Sequence, residues 1–324
     1  MLGENKIKTE KYSNTPYKIL LSVFSIVYGL FVVTILERHL HWNSGDLDSY
    51  LYFFNNSPNY LATYEGSIFQ NENIFRNMVF GLQGLFDEDF EVIFGYIAFI
   101  CSTTIFYICL SKVRSRKYLI VILPFLLMIF FTPRVVDLFA SSLRSGIAFT
   151  IFIISNNYLK GVRKYILMML SILIHLSMLP IISLYLLFYT LHKKRVNVSY
   201  LTSIFVLLLF SLIVNIGAKE FHSSIGINTS FYYNFLVFLI LLLIVFTNKK
   251  VINNVYGFLS IGLIVTVILG FILDFNFIRF VGNSLLLYLF FVLDKGSIKT
   301  IQVFTLGYIP FFVLTNYYTI TNHW

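Results

Sequence analysis

Long apolar runs follow one another along most of the chain, and this feature constrains the fold more than any other. A helix that crosses a bilayer needs about 20 mainly apolar residues. Within lipid every backbone polar group must be satisfied inside the protein, so only helices and closed barrels can cross. The runs lack the alternating pattern of barrel strands. We therefore predict helices over residues 17–36, 90–110, 118–132, 143–159, 165–191, 198–217, 231–247, 255–273, 278–293 and 300–315.

The composition excludes a soluble globular domain. The 324 residues are 58% hydrophobic and only 12% charged, whereas soluble domains are typically about 25% charged. A disordered chain is excluded as well, because it would lack apolar residues. The net charge of +9 comes from lysines and arginines between the apolar runs, as in membrane proteins, and predicts no nucleic-acid partner. We predict one transmembrane domain over residues 1–324, surrounded by the lipid bilayer.

The basic residues predict the orientation of the helices. Cytoplasmic loops of membrane proteins carry an excess of Lys and Arg. With the N-terminus inside and the C-terminus outside, 18 of the 24 basic residues are cytoplasmic and 12 of the 15 acidic residues are external. The cytoplasmic clusters lie at residues 6–18, 112–117, 160–164, 193–195, 249–250 and 295–299.

The run 165–191 decides the number of spans. Basic clusters flank it at both ends, so we predict a hairpin of two short spans with an external apex near His175–Pro180. The fold is then all-α and polytopic, with about 11 transmembrane helices. A single long helix is the alternative, and it would invert every later loop.

The longest external segment, residues 37–89, follows the first span. It is too long for a simple turn, so we predict an extracytoplasmic loop that folds over the membrane surface. Its stretch 74–86 has the pattern of a short interfacial helix. The apolar face of that helix would carry Phe75, Met78, Val79 and Leu82.

Five of the six external basic residues are arginines, whereas the cytoplasmic ones are mostly lysines. The planar guanidinium fork suits phosphate and carboxylate groups. Three of these arginines lie at external ends of spans, where they could bind the pyrophosphate of a lipid-linked substrate. The alternative is that each one reaches toward lipid headgroups or pairs with a nearby acid, as Arg134 could with Asp137. The five are Arg38, Arg76, Arg134, Arg144 and Arg279.

Two further positions are candidates for chemistry. Arg144 lies among small residues that allow close helix approach, which favours a position facing protein or a cavity. His175 is the histidine within an apolar run, where a neutral imidazole could accept a hydroxyl proton or bind a sugar. It could equally be a core histidine that bridges two helices.

A polar segment after the first span carries Asp46, Asp48 and Tyr50. Carboxylates near an aromatic ring are common in carbohydrate sites, although Gly45 and Asp46 could form only a turn. His39 and His41 precede them, but this spacing matches no metal site closely, so we predict no metal. The sequence has no glycine-rich phosphate loop and no other cofactor motif, so we predict no cofactor.

Three blocks resemble the bacterial polysaccharide polymerase family of Wzy/EpsG type. The first joins Leu143–Ala148, a basic turn at Lys160–Lys164 and Ile174–Ser177, and it is similar to the family's R-x-x-x-A helix, K/R turn and H-x-S helix. The second is Gly45–Tyr50, like the family's G-D…Y element. The third is Phe277–Phe280, like the segment with its second arginine.

The resemblance implies an integral membrane glycosyltransferase of the GT-C-like class. Such enzymes join undecaprenyl-pyrophosphate-linked oligosaccharide repeat units into O-antigen, capsule or exopolysaccharide. They lie in the bacterial plasma (inner) membrane with the active site facing the periplasm or exterior. The reaction needs no metal or nucleotide, and a flippase and a chain-length regulator are implied as partners.

On this interpretation Arg144, Arg279 and His175 are the catalytic residues. The two arginines would stabilise charge on the departing pyrophosphate, and His175 would orient or deprotonate the acceptor hydroxyl, unless Asp46 or Asp48 is the base. Substrate binding would involve Arg134, Arg38, Asp46, Asp48 and Tyr50.

Two other functions remain open from the sequence. A flippase or transporter of the lipid-linked oligosaccharide would need polar groups near the bilayer midplane and internal repeats, and the charges here gather at one face. A membrane acyltransferase that modifies glycans could use His175 as its base, but the sequence shows no distinct motif for an acyl donor.

Overall fold

The computed structural model contains helices and no strand in the part of the chain that it describes. Those residues are 15–41, 47, 50–51, 54, 72–113, 116–193, 200–221, 238–240, 243–244, 251–273 and 279–323. The helices are α1 Thr15–His41, α2 Glu72–Phe86, α3 Phe90–Ser111, α4 Arg116–Phe130, α5 Pro133–Ala140, α6 Leu143–Tyr158, α7 Gly161–Ile174, α8 Met178–Lys193, α9 Tyr200–Phe221, α10 Val255–Ile272, α11 Arg279–Lys295 and α12 Ile298–His323.

The centre of the bundle is formed by α10 and α11, which pack against each other. Every residue of α11 from 280 to 293 is buried, as is every residue of α10 from 256 to 267. In contrast, α1 exposes a continuous set of large apolar side chains, including Ile19, Val23 and Val27. An exposed apolar surface of this extent is typical of a face in contact with lipid.

Three helices are long and apolar enough to cross a membrane: Tyr17–Arg38, Phe90–Ser111 and Val255–Ile272. A fourth is obtained if the bent pair Leu119–Phe130 and Pro133–Ala140 is counted as one span. The structure therefore supports a polytopic helical membrane protein, while eleven spans and their orientation stay predictions. The predicted span 231–247 lies largely outside the described residues.

The bend between α4 and α5 has a cause in the sequence. Pro133 lacks a backbone N–H, and its ring disfavours helical dihedrals in the residue before it. Thr132 accordingly takes extended dihedrals of φ −70° and ψ 129°, and the helix axis turns by 63°. The predicted helix 118–132 therefore ends at this proline, and a separate short helix carries Arg134.

The run 165–191 is broken at His175–Ser177 into α7 and α8, so it is not the single continuous helix of the alternative prediction. Nζ of Lys164, near the start of α7, lies 4.7 Å from the ring centre of Tyr185 and 5.5 Å from that of Tyr189 in α8. The second helix therefore returns toward the start of the first. The reversal agrees with the predicted hairpin, with His175 at its apex.

Lys112 and Lys164, which the distribution of basic residues assigned to the cytoplasmic side, lie at one end of the bundle. Nζ of Lys112 lies 3.1 Å from a carboxylate oxygen of Asp294 and 5.7 Å from the ring centre of Tyr256. Nζ of Lys164 donates a hydrogen bond of 2.7 Å to Oδ1 of Asn156. We call the end of the bundle that carries Lys112, Asn156, Lys164, Tyr256 and Asp294 the lysine end.

The predicted interfacial helix is present as α2, which contacts both α3 and α7. Phe75 and Val79 are buried, and Met78 and Leu82 pack partly buried against the core. Of the segment 37–71 that precedes α2, the structure describes only residues 37–41, 47, 50–51 and 54.

Candidate functional site

Arg144 is held by a tyrosine that lies 94 residues earlier in the chain. Its Nε donates a hydrogen bond of 2.8 Å to the hydroxyl oxygen of Tyr50, and its guanidinium carbon lies 5.1 Å from the centre of the Tyr50 ring. Hydrogen bonds that involve an ionised group are stronger than neutral ones. The contact therefore fixes the direction of the half-buried Arg144 side chain.

Tyr50 is in turn fixed by aromatic neighbours. Its ring, with a relative exposure of 9%, lies 5.5 Å from the ring centre of Phe75 in α2 and 6.1 Å from that of Phe94 in α3. Such centre-to-centre distances are those of favourable aromatic pairs. The helices α2 and α3 therefore both support the residue that orients Arg144.

The start of α6 packs closely against the end of α5. A Cβ atom at Gly146 would lie only 2.6 Å from the carbonyl oxygen of Leu138, so only glycine fits without a shift of the backbone. Ser142 and Ser145 are buried beside it. The small residues around Arg144 thus provide the close helix approach that the sequence predicted.

His175 lies at the same level of the bundle as Arg144. Oγ of Ser171 in α7 donates a 2.7 Å hydrogen bond to the carbonyl oxygen of Ala148 in α6. The bond between Lys164 and Asn156 shows that the two helices are antiparallel. Since Arg144 is one turn before Ala148 and His175 one turn after Ser171, both lie about 6 Å from that hydrogen bond in the same direction.

The turn at His175 is locally well defined. The backbone N–H of His175 donates to the carbonyl oxygen of Ser171 at 3.1 Å, and its own carbonyl accepts from the N–H of Met178 at 3.0 Å. His175 has extended dihedrals, which end α7 there. Oγ of Ser177 is buried and has no hydrogen-bond partner among the described residues.

Arg134 and the first turn of α11 also lie at this end. A Cβ atom at Gly282 would collide with the carbonyl oxygen of Arg134, so α11 approaches α5 three residues after Arg279. Nη1 of Arg134 lies 3.5 Å from a carboxylate oxygen of Asp137, which is the pairing that the alternative interpretation of this arginine gave. The side chain of Arg279 lies outside the described residues.

Arg38 lies at the same end but is exposed. The helices α1 and α3 run antiparallel, because Tyr28 stacks on Phe106 while Val33 lies beside Gly95. Arg38, five residues beyond Val33, therefore reaches the level of the start of α3. The candidates Asp46 and Asp48 lie outside the described residues.

We call this end of the bundle the arginine end, defined by Tyr50, Arg134, Arg144, His175 and the start of α11 at Arg279. It is opposite the lysine end, since α6 runs from Arg144 to Asn156 and α3 runs from the neighbourhood of Tyr50 to Lys112. Charged groups are thus separated between the two ends of the same helices.

The sequence interpretation assigned no role to two buried polar residues near this end. Arg76 in α2, with a relative exposure of 7%, follows the Phe75 that packs on Tyr50. Asn283 in α11, with a relative exposure of 2%, follows the Gly282 that contacts Arg134. The sequence signal that could have identified Asn283 is that it is a single amide side chain within the apolar stretch Phe280–Val292.

Within the described ranges, no group of three or more His, Cys, Asp and Glu side chains could hold a metal ion. The histidine–carboxylate segment 39–48 is not among the side chains so described, apart from Leu47. The described residues therefore offer a fixed guanidinium and, at the same level on the adjacent helix, a histidine; such groups can bind an anion and orient a hydroxyl group.

A model of the EpsG family matches residues 21–236, which is two thirds of the chain. No curated protein and no solved structure matches the chain. Family membership implies a membrane protein of polysaccharide biosynthesis, a glycosyltransferase-like polymerase that acts on lipid-linked oligosaccharide in general. The apolar helices agree with that environment, and the matched region contains Tyr50, Arg134, Arg144 and His175. We conclude that the chain belongs to the EpsG family.

Proposed function

We propose that this protein polymerises undecaprenyl-pyrophosphate-linked oligosaccharide repeat units at the outer face of the plasma membrane. The observation that carries the proposal is the placement of Arg144: Tyr50 orients its guanidinium, and His175 lies at the same level on the adjacent helix. An oriented cation beside an imidazole is what the transfer of a sugar from a diphosphate to a hydroxyl requires.

In the proposed reaction the growing glycan moves from its lipid carrier to the next repeat unit. A hydroxyl oxygen of the acceptor sugar forms a bond to the anomeric carbon of the donor. The bond between that carbon and the pyrophosphate oxygen breaks, and undecaprenyl pyrophosphate leaves with the electron pair. The proton of the hydroxyl passes to a base, for which His175 is our candidate and Asp46 or Asp48 the alternatives.

Arg144 and Arg279 have the role of stabilising the negative charge that develops on the leaving pyrophosphate. Removing one such donor typically lowers kcat by a factor of about 10²–10³. Arg134 would assist from the start of α5, and Arg38, Asp46, Asp48 and Tyr50 would contribute to binding. Since guanidinium groups can neutralise a diphosphate, the proposed reaction needs no divalent cation or other cofactor.

The proposal includes an orientation and partners. We infer that the arginine end faces the periplasm or exterior, because the lysine end carries the residues that the positive-inside rule assigns to the cytoplasm. A substrate at that face requires a flippase to deliver it, and a chain-length regulator would act on the product. The product would be O-antigen, capsule or exopolysaccharide.

The experiment compares glycolipids in a deletion strain that expresses the wild type, Arg144→Ala or Arg163→Ala. Arg163 is an exposed arginine at the start of α7, near the lysine end, and serves as the matched control. We expect polymer from the wild type and from Arg163→Ala, and single repeat units on the carrier from Arg144→Ala. All three proteins must be present in the membrane at similar levels.

Other outcomes would contradict the proposal. Polymer of normal length from Arg144→Ala would remove Arg144 from the reaction. Loss of substrate from the outer leaflet in the deletion strain would indicate a flippase, and a change only in glycan acetylation would indicate an acyltransferase.

A further inference from the structure

Asn283 is a buried amide that makes no hydrogen bond within the described part of the chain. Its relative exposure is 2%, and its Oδ1 is completely covered without a donor among the described residues. Buried polar atoms in proteins nearly always have a partner, because an unsatisfied one keeps the full penalty of leaving water. Asn283 therefore does not stabilise the bundle in the way a structural asparagine does.

Asn215 shows what a structural asparagine does in the same protein. It is also fully buried, and its Oδ1, like that of Asn283, has no donor among the described residues. Its Nδ2, however, donates to the carbonyl oxygens of Ser211 and Thr266 at 2.8 and 3.2 Å. These bonds join α9 to α10, as polar residues commonly do between membrane helices. The two amides therefore differ in Nδ2, which joins two helices in Asn215 and makes no such bond in Asn283 within the described part of the chain.

The position of Asn283 relates it to the arginine end. It lies four residues after Arg279 in α11, so the two positions share one face of the helix. Gly282, the residue before it, is the position at which α11 touches the backbone of Arg134. Asn283 is therefore one helical turn inside the bundle from the proposed pyrophosphate site.

The same face of α11 can be followed to the other end of the helix. Asn283, Phe290 and Asp294 are separated by seven and four residues, a spacing that places all three on one side of a helix. Lys112, at the end of α3, contacts both Phe290 and Asp294. At the lysine end the stripe that includes Asn283 therefore meets α3, which also packs against α6, the helix of Arg144.

We propose that Asn283 binds a hydroxyl group of the sugar at the reacting end of the lipid-linked glycan. An amide both donates and accepts hydrogen bonds, which matches a hydroxyl group, whereas a diphosphate could use only its donors. Polar residues inside membrane helices commonly mark substrate paths. The assignment rests on the proposed polymerase function and adds a sugar-binding residue to the arginines that hold the diphosphate.

The test compares Asn283→Ala with Asn215→Ala in purified protein, because both variants make the same substitution in a buried helix position. Each is measured for its thermal unfolding midpoint and for kcat and KM with lipid-linked repeat units. We expect Asn283→Ala to unfold at or above the wild-type temperature and to lose at least about tenfold in kcat/KM, which is about 1.4 kcal/mol of transition-state binding. Asn215→Ala should instead lower the unfolding temperature.

Each other result has one meaning. An Asn283→Ala protein that unfolds well below the wild type would show that the amide is structural and would overturn the assignment. Wild-type stability with wild-type kcat/KM would overturn it as well. If the wild-type protein itself joins no repeat units, the proposed function fails first, and that result is separate from any difference between the two variants.

Discussion

Replacing Tyr50 with phenylalanine removes one hydroxyl group and leaves the aromatic packing in place. The ring would keep its contacts with Phe75 and Phe94, and the guanidinium carbon of Arg144 would remain near the ring. The change therefore isolates the hydrogen bond of 2.8 Å that Nε of Arg144 donates. A hydrogen bond to a charged group contributes about 1.5–3 kcal/mol.

If this bond is needed to orient Arg144 in the transition state, its loss lowers kcat/KM by a factor of about 10–150. The assay follows chain extension by purified Tyr50→Phe protein on lipid-linked repeat units. The same change is then made in an Arg144→Lys background, because lysine lacks the Nε–H that donates to Tyr50. We expect Tyr50→Phe to change kcat/KM less than about twofold there, as double-mutant cycles show for residues that act as one unit.

Equal effects of Tyr50→Phe in both backgrounds would refute the reasoning, because Tyr50 would then act independently of Arg144. No effect in the wild-type background would also refute it. A lower unfolding temperature alone, with unchanged kcat/KM, would assign the hydrogen bond to stability.

Three further predictions concern packing, charge and metal. Gly146→Ala should lower the free energy of unfolding by about 1–3 kcal/mol, because the new Cβ would lie 2.6 Å from the carbonyl oxygen of Leu138. The control Gly81→Ala, with nothing within 4 Å of the new Cβ, should be neutral or stabilising. Equal unfolding temperatures for the two variants would contradict this prediction. Asp294→Lys should lower the free energy of unfolding by about 1 kcal/mol, because the new lysine would face Lys112. Adding Lys112→Asp should restore part of that loss. A double variant no more stable than Asp294→Lys would argue against an ion pair between residues 112 and 294. Chelators should leave polymerisation by purified membranes unchanged, and inhibition that added metal reverses would instead support a metal site.

Much of the fold follows from local sequence signals. The helix α2 is visible in the sequence as an apolar stripe, and the reversal between α7 and α8 follows from basic clusters at both ends of one apolar run. The bend at Pro133 is a local consequence of proline geometry that run length alone does not reveal. The length of an apolar run predicts that a segment is buried in lipid or protein, but it does not predict where the helix axis bends.

The candidate residues could be named from the sequence, whereas the contacts among them could not. Arg144 and His175 stand out by residue type and by resemblance, whereas the hydrogen bond between Arg144 and Tyr50 joins residues 94 positions apart and depends on how α2 and α3 pack. Asn283 was missed because α11 reads as one apolar helix. The side chain of Arg279 and the residues Asp46 and Asp48 lie outside the described part of the chain, so their roles stay predictions.

The most direct measurement of the central claim is the release of undecaprenyl pyrophosphate by purified protein supplied only with lipid-linked repeat units. The account predicts that the wild type releases one carrier for each unit joined, without added metal or nucleotide. Folded Arg144→Ala protein should release almost none, since the charge on the leaving diphosphate would lack its oriented guanidinium. Release by Arg144→Ala at the wild-type rate, or glycan growth without carrier release, would contradict the account.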